Sequence, residues 1–173
     1  MPFLFLKILC FKDPLSILEV SSSSEEPENV AYDVVDGDTE SFFLSRTAMV
    51  TGEWIQLQLE NVALVTKVVI TESSFGRVDK ASKKDEHRLR NIYIRVGDIE
   101  TSKDDHSSIE KNELCGTFPG PGVKEEKIIV TCKPSASKGK FITVHKMDQS
   151  ILNIAEIEVI GKEITSNGTV TGQ

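Results

Sequence analysis

Across residues 54–60, Ile55, Leu57 and Leu59 alternate with Gln56, Gln58 and Glu60. This is the two-residue period of a strand with one face in a core and the other in solvent. Residues 62–71 (VALVTKVVIT) form a long β-branched run, which predicts a strand covered on both faces. Alternation returns at 91–97, where Ile92, Ile94 and Val96 share a face, and the theme repeats at 127–132 and 140–145. In 154–160, Ala155, Ile157 and Val159 oppose Glu156 and Glu158. No long stretch carries the 3.6-residue stripe of an amphipathic helix. Short strands joined by polar connections predict an all-β chain folded as an antiparallel β-sandwich. Two connections, 72–90 and 98–114, are long, and sandwiches carry binding sites on such end loops.

The two ends read differently. Residues 1–11 (MPFLFLKILCF) are apolar apart from Lys7. A spanning helix needs about 20 apolar residues, so this run predicts no membrane span. It lacks a basic stretch before the apolar run and a small-x-small cleavage site, so it reads as a first strand or a truncated leader. Residues 1–14 are set apart on that basis, 15–161 form the domain, and 162–173 read as a flexible polar tail. The tail holds the sequon Asn167-Gly-Thr169, which matters only in a secreted chain.

Composition narrows the function. The chain has 173 residues, 20 Lys plus Arg against 27 Asp plus Glu, and a net charge of −7. That length fits one domain, and the acidic balance argues against a nucleic-acid binder, whose phosphate contacts need a basic surface. The charge is unevenly placed. Residues 1–60 hold eleven acids against Lys7, Lys12 and Arg46, whereas 77–95 hold seven basic residues against three acids. A basic loop on an acidic β protein suits recognition of vicinal hydroxyls or carboxylates by cationic forks. The three cysteines contain no Cys-x-x-Cys pair; they fit one bridge plus a leftover, or three reduced thiols.

Residues 30–41 (VAYDVVDGDTES), the strand pair after Trp54, Arg77-Val78-Asp79, and residues 139–161 (GKFITVHKMDQSILNIAEIEVIG) occur in an order that resembles the F-type lectins, or fucolectins. The resemblance covers roughly residues 15–161. It implies a β-sandwich of jelly-roll, discoidin-like type, terminal fucose or a related sugar as ligand, and one structural Ca2+. It also implies glycan partners, an extracellular location, and multivalent display through a homo-oligomer or a multidomain chain. A discoidin-like adhesion module that binds protein or lipid is the alternative.

The cation loop is Asp33, Asp36 and Asp38 around Gly37, three carboxylates in a tight turn. Calcium takes six to eight oxygens from such clusters, although Asp-Gly turns also arise for conformational reasons alone. The resemblance implies a ligand set of Asp33, Asp36, Asp38, Thr47, Ala155 and Glu156, with Thr47 in place of the family's Ser. It further implies a disulfide between Cys115 and Cys132, worth roughly 3 kcal/mol for a loop of about 15 residues. The family's second bridge falls on Ala48 and Ala155, so it is absent as a pair, and Cys10 is left over.

Fucose recognition in the family uses a His upstream of an Arg-x-Asp-x-x-x-x-Lys/Arg run. Here Arg77, Asp79 and Lys84 fit the run, while Val50 occupies the His position. Losing that polar contact costs on the order of 1–3 kcal/mol, roughly ten- to hundredfold in affinity. A second alignment places Arg88, preceded by His87, as the second basic residue, so both Lys84 and Arg88 stand as candidates. A plain ion pair between Arg77 and Asp79 across a loop is the competing account.

No catalytic pattern is present. His87, His106 and His145 lie on separate elements, without a nucleophile elbow or His-Glu-x-x-His motif. His145 is expected to pack or to face solvent at a strand end. A binding module is the expectation, and not an enzyme.

Overall fold

The structure, a computed structural model, describes residues 14–46, 52–74, 89–148 and 150–164. Its strands are β1 (Ile17–Ser22), β2 (Phe43–Leu44), β3 (Trp54–Thr71), β4 (Ile92–Gly97), β5 (Glu113–Phe118), β6 (Lys127–Thr131), β7 (Ser137–Lys146), β8 (Asn153–Ile154) and β9 (Glu156–Glu163). A 3-10 turn, Ala31–Val35, precedes β2, and a short helix α1, Ser107–Lys111, precedes β5. The architecture is the antiparallel β-sandwich that the alternation predicts.

The two runs at 54–60 and 62–71 form one strand, β3, and it serves both layers. Its first half lies between β1 and β7, with Leu57 opposite Val20 on one side and Ile142 on the other. Its second half lies between β6 and β9, with Val68 opposite Val130 and Val159. Beyond β7, β4 and β5 continue the first layer, in the order β1-β3-β7-β4-β5. Ile55, Leu57, Ile94 and Val144 from this layer meet Val68, Ile70 and Ile157 from the other in one core.

A bulge keeps β3 in phase. Val65 pairs with Gly161 but Lys67 pairs with Ile160, so Thr66 is the extra residue, its hydroxyl donating to the Ile160 carbonyl at 3.1 Å. Before it Ala63 and Val65 face the core; after it Val68 and Ile70 do. Without the extra residue, the second pair would point away from the core.

Coverage of β3 differs from the sequence expectation. Residues 62–71 alternate between buried and half-exposed, so that half is covered on one face rather than two. In the 54–60 half, expected to be half-buried, Gln58 is half-buried and Glu60 exposed, but the polar face is covered at Gln56. There the 98–112 connection folds over the sheet. Gln56 Nε2 donates to Thr101 Oγ1 (2.8 Å) and Thr143 Oγ1 (2.7 Å), and its Oε1 accepts from the Thr101 amide (2.9 Å). Asn112 closes the connection by donating to the Ile99 carbonyl (2.7 Å) and accepting from its amide (3.1 Å).

Four strands escape the pattern. β2 and β8 are two residues each, β1 buries only Ser22, and β5 begins at the end of the predicted 98–114 loop. In β5, Leu114 is exposed while Cys115 is buried, which hides the alternation. Cys115 on β5 is bonded to Cys132 just after β6, clipping an edge of one layer to an edge of the other. β7 begins at Ser137, earlier than the predicted 140, because Ser137 pairs with Val65 of β3, and small residues let β7 and β4 approach closely. A Cβ on Gly139 would lie 2.5 Å from the Gly97 backbone. β9 starts after Ala155 and runs to Glu163.

Candidate ligand-binding end of the sandwich

The roots of two loops, the residues that flank 47–51 and 75–88, come together around the end of β7, where Glu53, Glu72 and Arg90 lie near Lys146. At the first root, the Glu53 carbonyl accepts from the Lys146 amide at 2.9 Å. The Glu53 carboxylate accepts from Ser23 Oγ (2.6 Å) and Ser24 Oγ (2.8 Å), which anchors the chain just past Gly52. Gly52 itself sits at φ +100, a conformation that side-chain-bearing residues rarely adopt.

The second root is Glu72–Ser73 on one side and Leu89–Asn91 on the other. Glu72 Oε1 accepts from the Leu89 amide at 3.1 Å, joining the two ends directly. The Leu89 carbonyl accepts from Gly122 at 2.8 Å, and the Asn91 amide donates to the Pro119 carbonyl at 3.2 Å. Gly120 is required by closeness, since a Cβ there would lie 2.4 Å from the Leu89 oxygen.

Between these roots lies Lys146, wholly buried. Its Nζ donates to the Ile151 carbonyl at 3.1 Å and lies 3.8 Å from Asp148 Oδ1. Asp148 in turn accepts from Asn91 Nδ2 at 2.9 Å and from Ser150 Oγ. Burial, with the Arg90 charge nearby, pushes the ammonium below the usual lysine range, while Asp148 and Glu72 oppose that drop. Sequence reasoning passed over Lys146, Asp148, Asn91 and Glu72. Lys146 falls there just past the predicted strand 140–145, and nothing local marks it as buried.

Val50, Arg77, Asp79, Lys84 and Arg88, the predicted sugar-site residues, lie outside the described residues, as do His87 and Thr47. The same holds for Cys10, Ala48 and Asn167.

The cation loop is described apart from Thr47. Gly37, at φ +79, turns the chain so that its amide donates to Glu156 Oε2 at 3.2 Å. Asp36 Oδ1 accepts from the Asp38 amide and Oδ2 from Ser41 Oγ, both at 2.8 Å. Asp38 is at the exposed tip, its carboxylate accepting from the Glu40 amide at 2.9 Å. Ala155 is buried beside the loop, and its amide donates to the Thr71 carbonyl at 3.0 Å. The structure thus brings Glu156 to the Asp36–Gly37 turn beside Ala155, sets Asp33 near Asp36, and leaves the Asp38 carboxylate on the rim.

Electrostatics at this loop are unfavourable to the bare protein. Burial, then the neighbouring Asp36 and Glu158, push Glu156 up to about 7. Burial followed by Asp36 and Glu25 likewise raises Asp33. Among the described residues no three His, Cys, Asp or Glu side chains converge as a metal cluster. Any cation here would draw on carbonyl and hydroxyl oxygens as well as on Asp36 and Glu156, a donor mixture that suits calcium. Beside the loop, a groove of about 500 Å³ runs between Tyr32, Ile17 and β9.

A smaller pocket of about 150 Å³ lies between α1 and β7, lined by Gly52, His106, Ile109, His145 and Met147. His145 is buried with its ring centroid 5.5 Å from that of Tyr93, and its Nε2 has no hydrogen-bond partner. Burial, with Arg95 nearby, lowers it to about 4, so the imidazole is neutral at physiological pH. Of its two expected fates, packing is the observed one. No helix among the described residues is long and apolar enough to cross a membrane.

No protein-family model matches the sequence, and no curated protein matches it. Solved structures do. The fold is similar to the family 32 carbohydrate-binding module of NanJ from C. perfringens, solved with galactose, at TM-score 0.61 and 16% identity over 82% of this chain and 91% of that one. It is similar to a fucolectin from striped bass (Morone saxatilis) serum at TM-score 0.62 and 20% identity, covering 83% of this chain and 45% of that one. It is also similar to SpX-3, a fucose-binding module of Streptococcus pneumoniae, at TM-score 0.57 and 17% identity, covering 86% and 96%. The chain therefore has the β-sandwich fold of carbohydrate-binding modules, fucolectins and discoidin-like domains.

Proposed function

We propose that this chain is a calcium-braced carbohydrate-binding module that takes a terminal sugar of the fucose class at the loop-bearing end of the sandwich. The observation that carries the reading is the meeting of the 52–53 and 72–91 roots around Lys146. The chain between Ser73 and Leu89 includes Arg77, Asp79, Lys84 and Arg88, and Val50 lies two residues before Gly52. Two cationic forks oriented by an acid can donate to vicinal sugar hydroxyls and the ring oxygen. The shared fold supports the reading, because the three similar proteins include a galactose complex, a fucolectin and a fucose-binding module. With Val50 in place of an imidazole, affinity for fucose is expected to be weakened by roughly ten- to hundredfold relative to a full set of contacts.

Calcium belongs to the same proposal. Asp36 and Glu156 would hold it, with Asp33, Asp38, Thr47 and the Ala155 carbonyl completing an oxygen shell. Bound there, the ion would supply the positive charge that the crowded carboxylates lack and would join the loop to β9. An extracellular location and multivalent display accompany the lectin reading.

A glycan array probed with calcium and with chelator tests the proposal. Fucosylated or related terminal sugars should bind, and Arg77→Ala should abolish binding with almost no change in melting temperature. An array blank for the wild type under both conditions would sink the sugar reading and favour an adhesion module. Undiminished binding by Arg77→Ala would place the site on another loop.

A further inference from the structure

We propose that Lys146 is a positioning residue whose buried ammonium, set among Asp148, Glu72 and the Ile151 carbonyl, fixes the loop roots relative to one another for ligand recognition. The inference rests on the reading of this end as a glycan site and adds to it a residue that touches no ligand.

The connections radiate from one side chain. Through the Ile151 carbonyl at 3.1 Å, Lys146 holds the β7–β8 loop folded back on the strand that starts it. Through Asp148, 3.8 Å away, it reaches Asn91, whose side-chain amide lies 2.9 Å from the same carboxylate. Asn91 is at φ +52, a left-handed conformation that asparagine tolerates better than most side-chain-bearing residues. Glu72, charge-coupled to Lys146, binds the Leu89 amide at 3.1 Å, and the Leu89 carbonyl binds Gly122. The backbone amide of Lys146 itself holds the Glu53 carbonyl.

Chemistry explains why a lysine is needed. A methionine of similar length would fill the space without the cost of desolvating an ammonium. It could not hold the Ile151 carbonyl and the Asp148 carboxylate together within the β7–β8 connection, where Asp148 also takes Asn91 from the other root. The ammonium offers three donors around a compact charge, so it can satisfy acceptors arriving from several directions.

The test uses the full chain with three variants: Lys146→Met, the triple variant Lys146→Met/Glu72→Gln/Asp148→Asn, and Asn91→Gly. Melting temperature, affinity for L-fucose or the strongest array sugar, and amide exchange at Leu89, Asn91 and Leu152 are measured. Lys146→Met removes a buried cation from beside Asp148 and Glu72 and should lose both stability and binding. The triple variant removes that imbalance while keeping acceptor oxygens for Leu89 and Asn91, so its melting temperature should recover. Its affinity should stay at least about tenfold weaker, with faster exchange at Leu89, Asn91 and Leu152 while β4 and β7 remain protected. Asn91→Gly keeps the backbone conformation, cuts the Asp148 bridge, and should bind more weakly at near-wild-type stability.

Wild-type affinity in the triple variant or in Asn91→Gly would reduce Lys146 to scaffold and overturn the inference. If the wild type binds no sugar, the glycan reading fails separately and exchange decides: selective loss at the three roots supports the positioning role, and unchanged exchange refutes it.

Discussion

His145 and Lys146 are neighbours in sequence, and both are buried, on opposite sides of β7. The imidazole lies under the 98–112 connection and stays neutral; the ammonium lies among the loop roots and keeps acidic company. Their pH consequences differ accordingly. His145 is lowered to about 4 in the folded chain from an ordinary 6.5. The unfolded chain therefore binds the extra proton first, and stability falls as pH drops from 6.5 through 4. The full effect is on the order of 3 kcal/mol. Glu156 works in the other direction. Its folded value is raised to about 7 from 4.5, so in cation-free protein its stabilising contribution is lost as pH rises through 7. Comparing His145→Phe with wild type in urea titrations from pH 4 to 7 isolates the histidine. The variant should lose less stability on acidification, and parallel curves would show that His145 does not titrate with folding.

At the scale of elements, β3 and the disulfide organise the sandwich. Alternation at 54–60 and 91–97 made the strands legible, because a two-residue period leaves few alternatives. It could not show that the 54–60 and 62–71 runs are one strand, since that depends on β7 pairing with both, up to Gln58 and again from Ala63. Nor could it show that Gln56 is covered, since a glutamine in an alternating strand looks the same whether it meets water or Thr101 and Thr143. The Cys115–Cys132 bridge was expected from family resemblance and is present. It spans a sequence separation of 17 and joins two strand edges, so replacing both cysteines with serine should cost about 3 kcal/mol. Denaturant unfolding of the double variant measures this; an unchanged midpoint would mean that the unfolded chain gains nothing from the released loop.

On the scale of the whole molecule, the sandwich gathers its loop roots around the end of β7 and sets its acidic turn at the end of β3, where Thr71 pairs with Glu156. If calcium braces this end, it binds the folded chain alone and stabilises it by mass action. At a hundred times its dissociation constant that is about 2.7 kcal/mol, or a rise of several degrees in melting temperature for a domain this size. Chelator should remove the rise in the wild type and have no effect on Glu156→Gln. Equal melting with and without calcium in the wild type would remove the ion from the proposal. The sequence by itself determined that the chain is a β-sandwich, where most core strands run, and which acids crowd around Gly37. These are local properties, carried by period, turn chemistry and spacing. Only the tertiary structure decided that Gln56 and Lys146 are buried, that Glu72 reaches Leu89, and that the loop roots converge. Burial is set by whatever segment lies over a residue, and that segment comes from elsewhere in the chain.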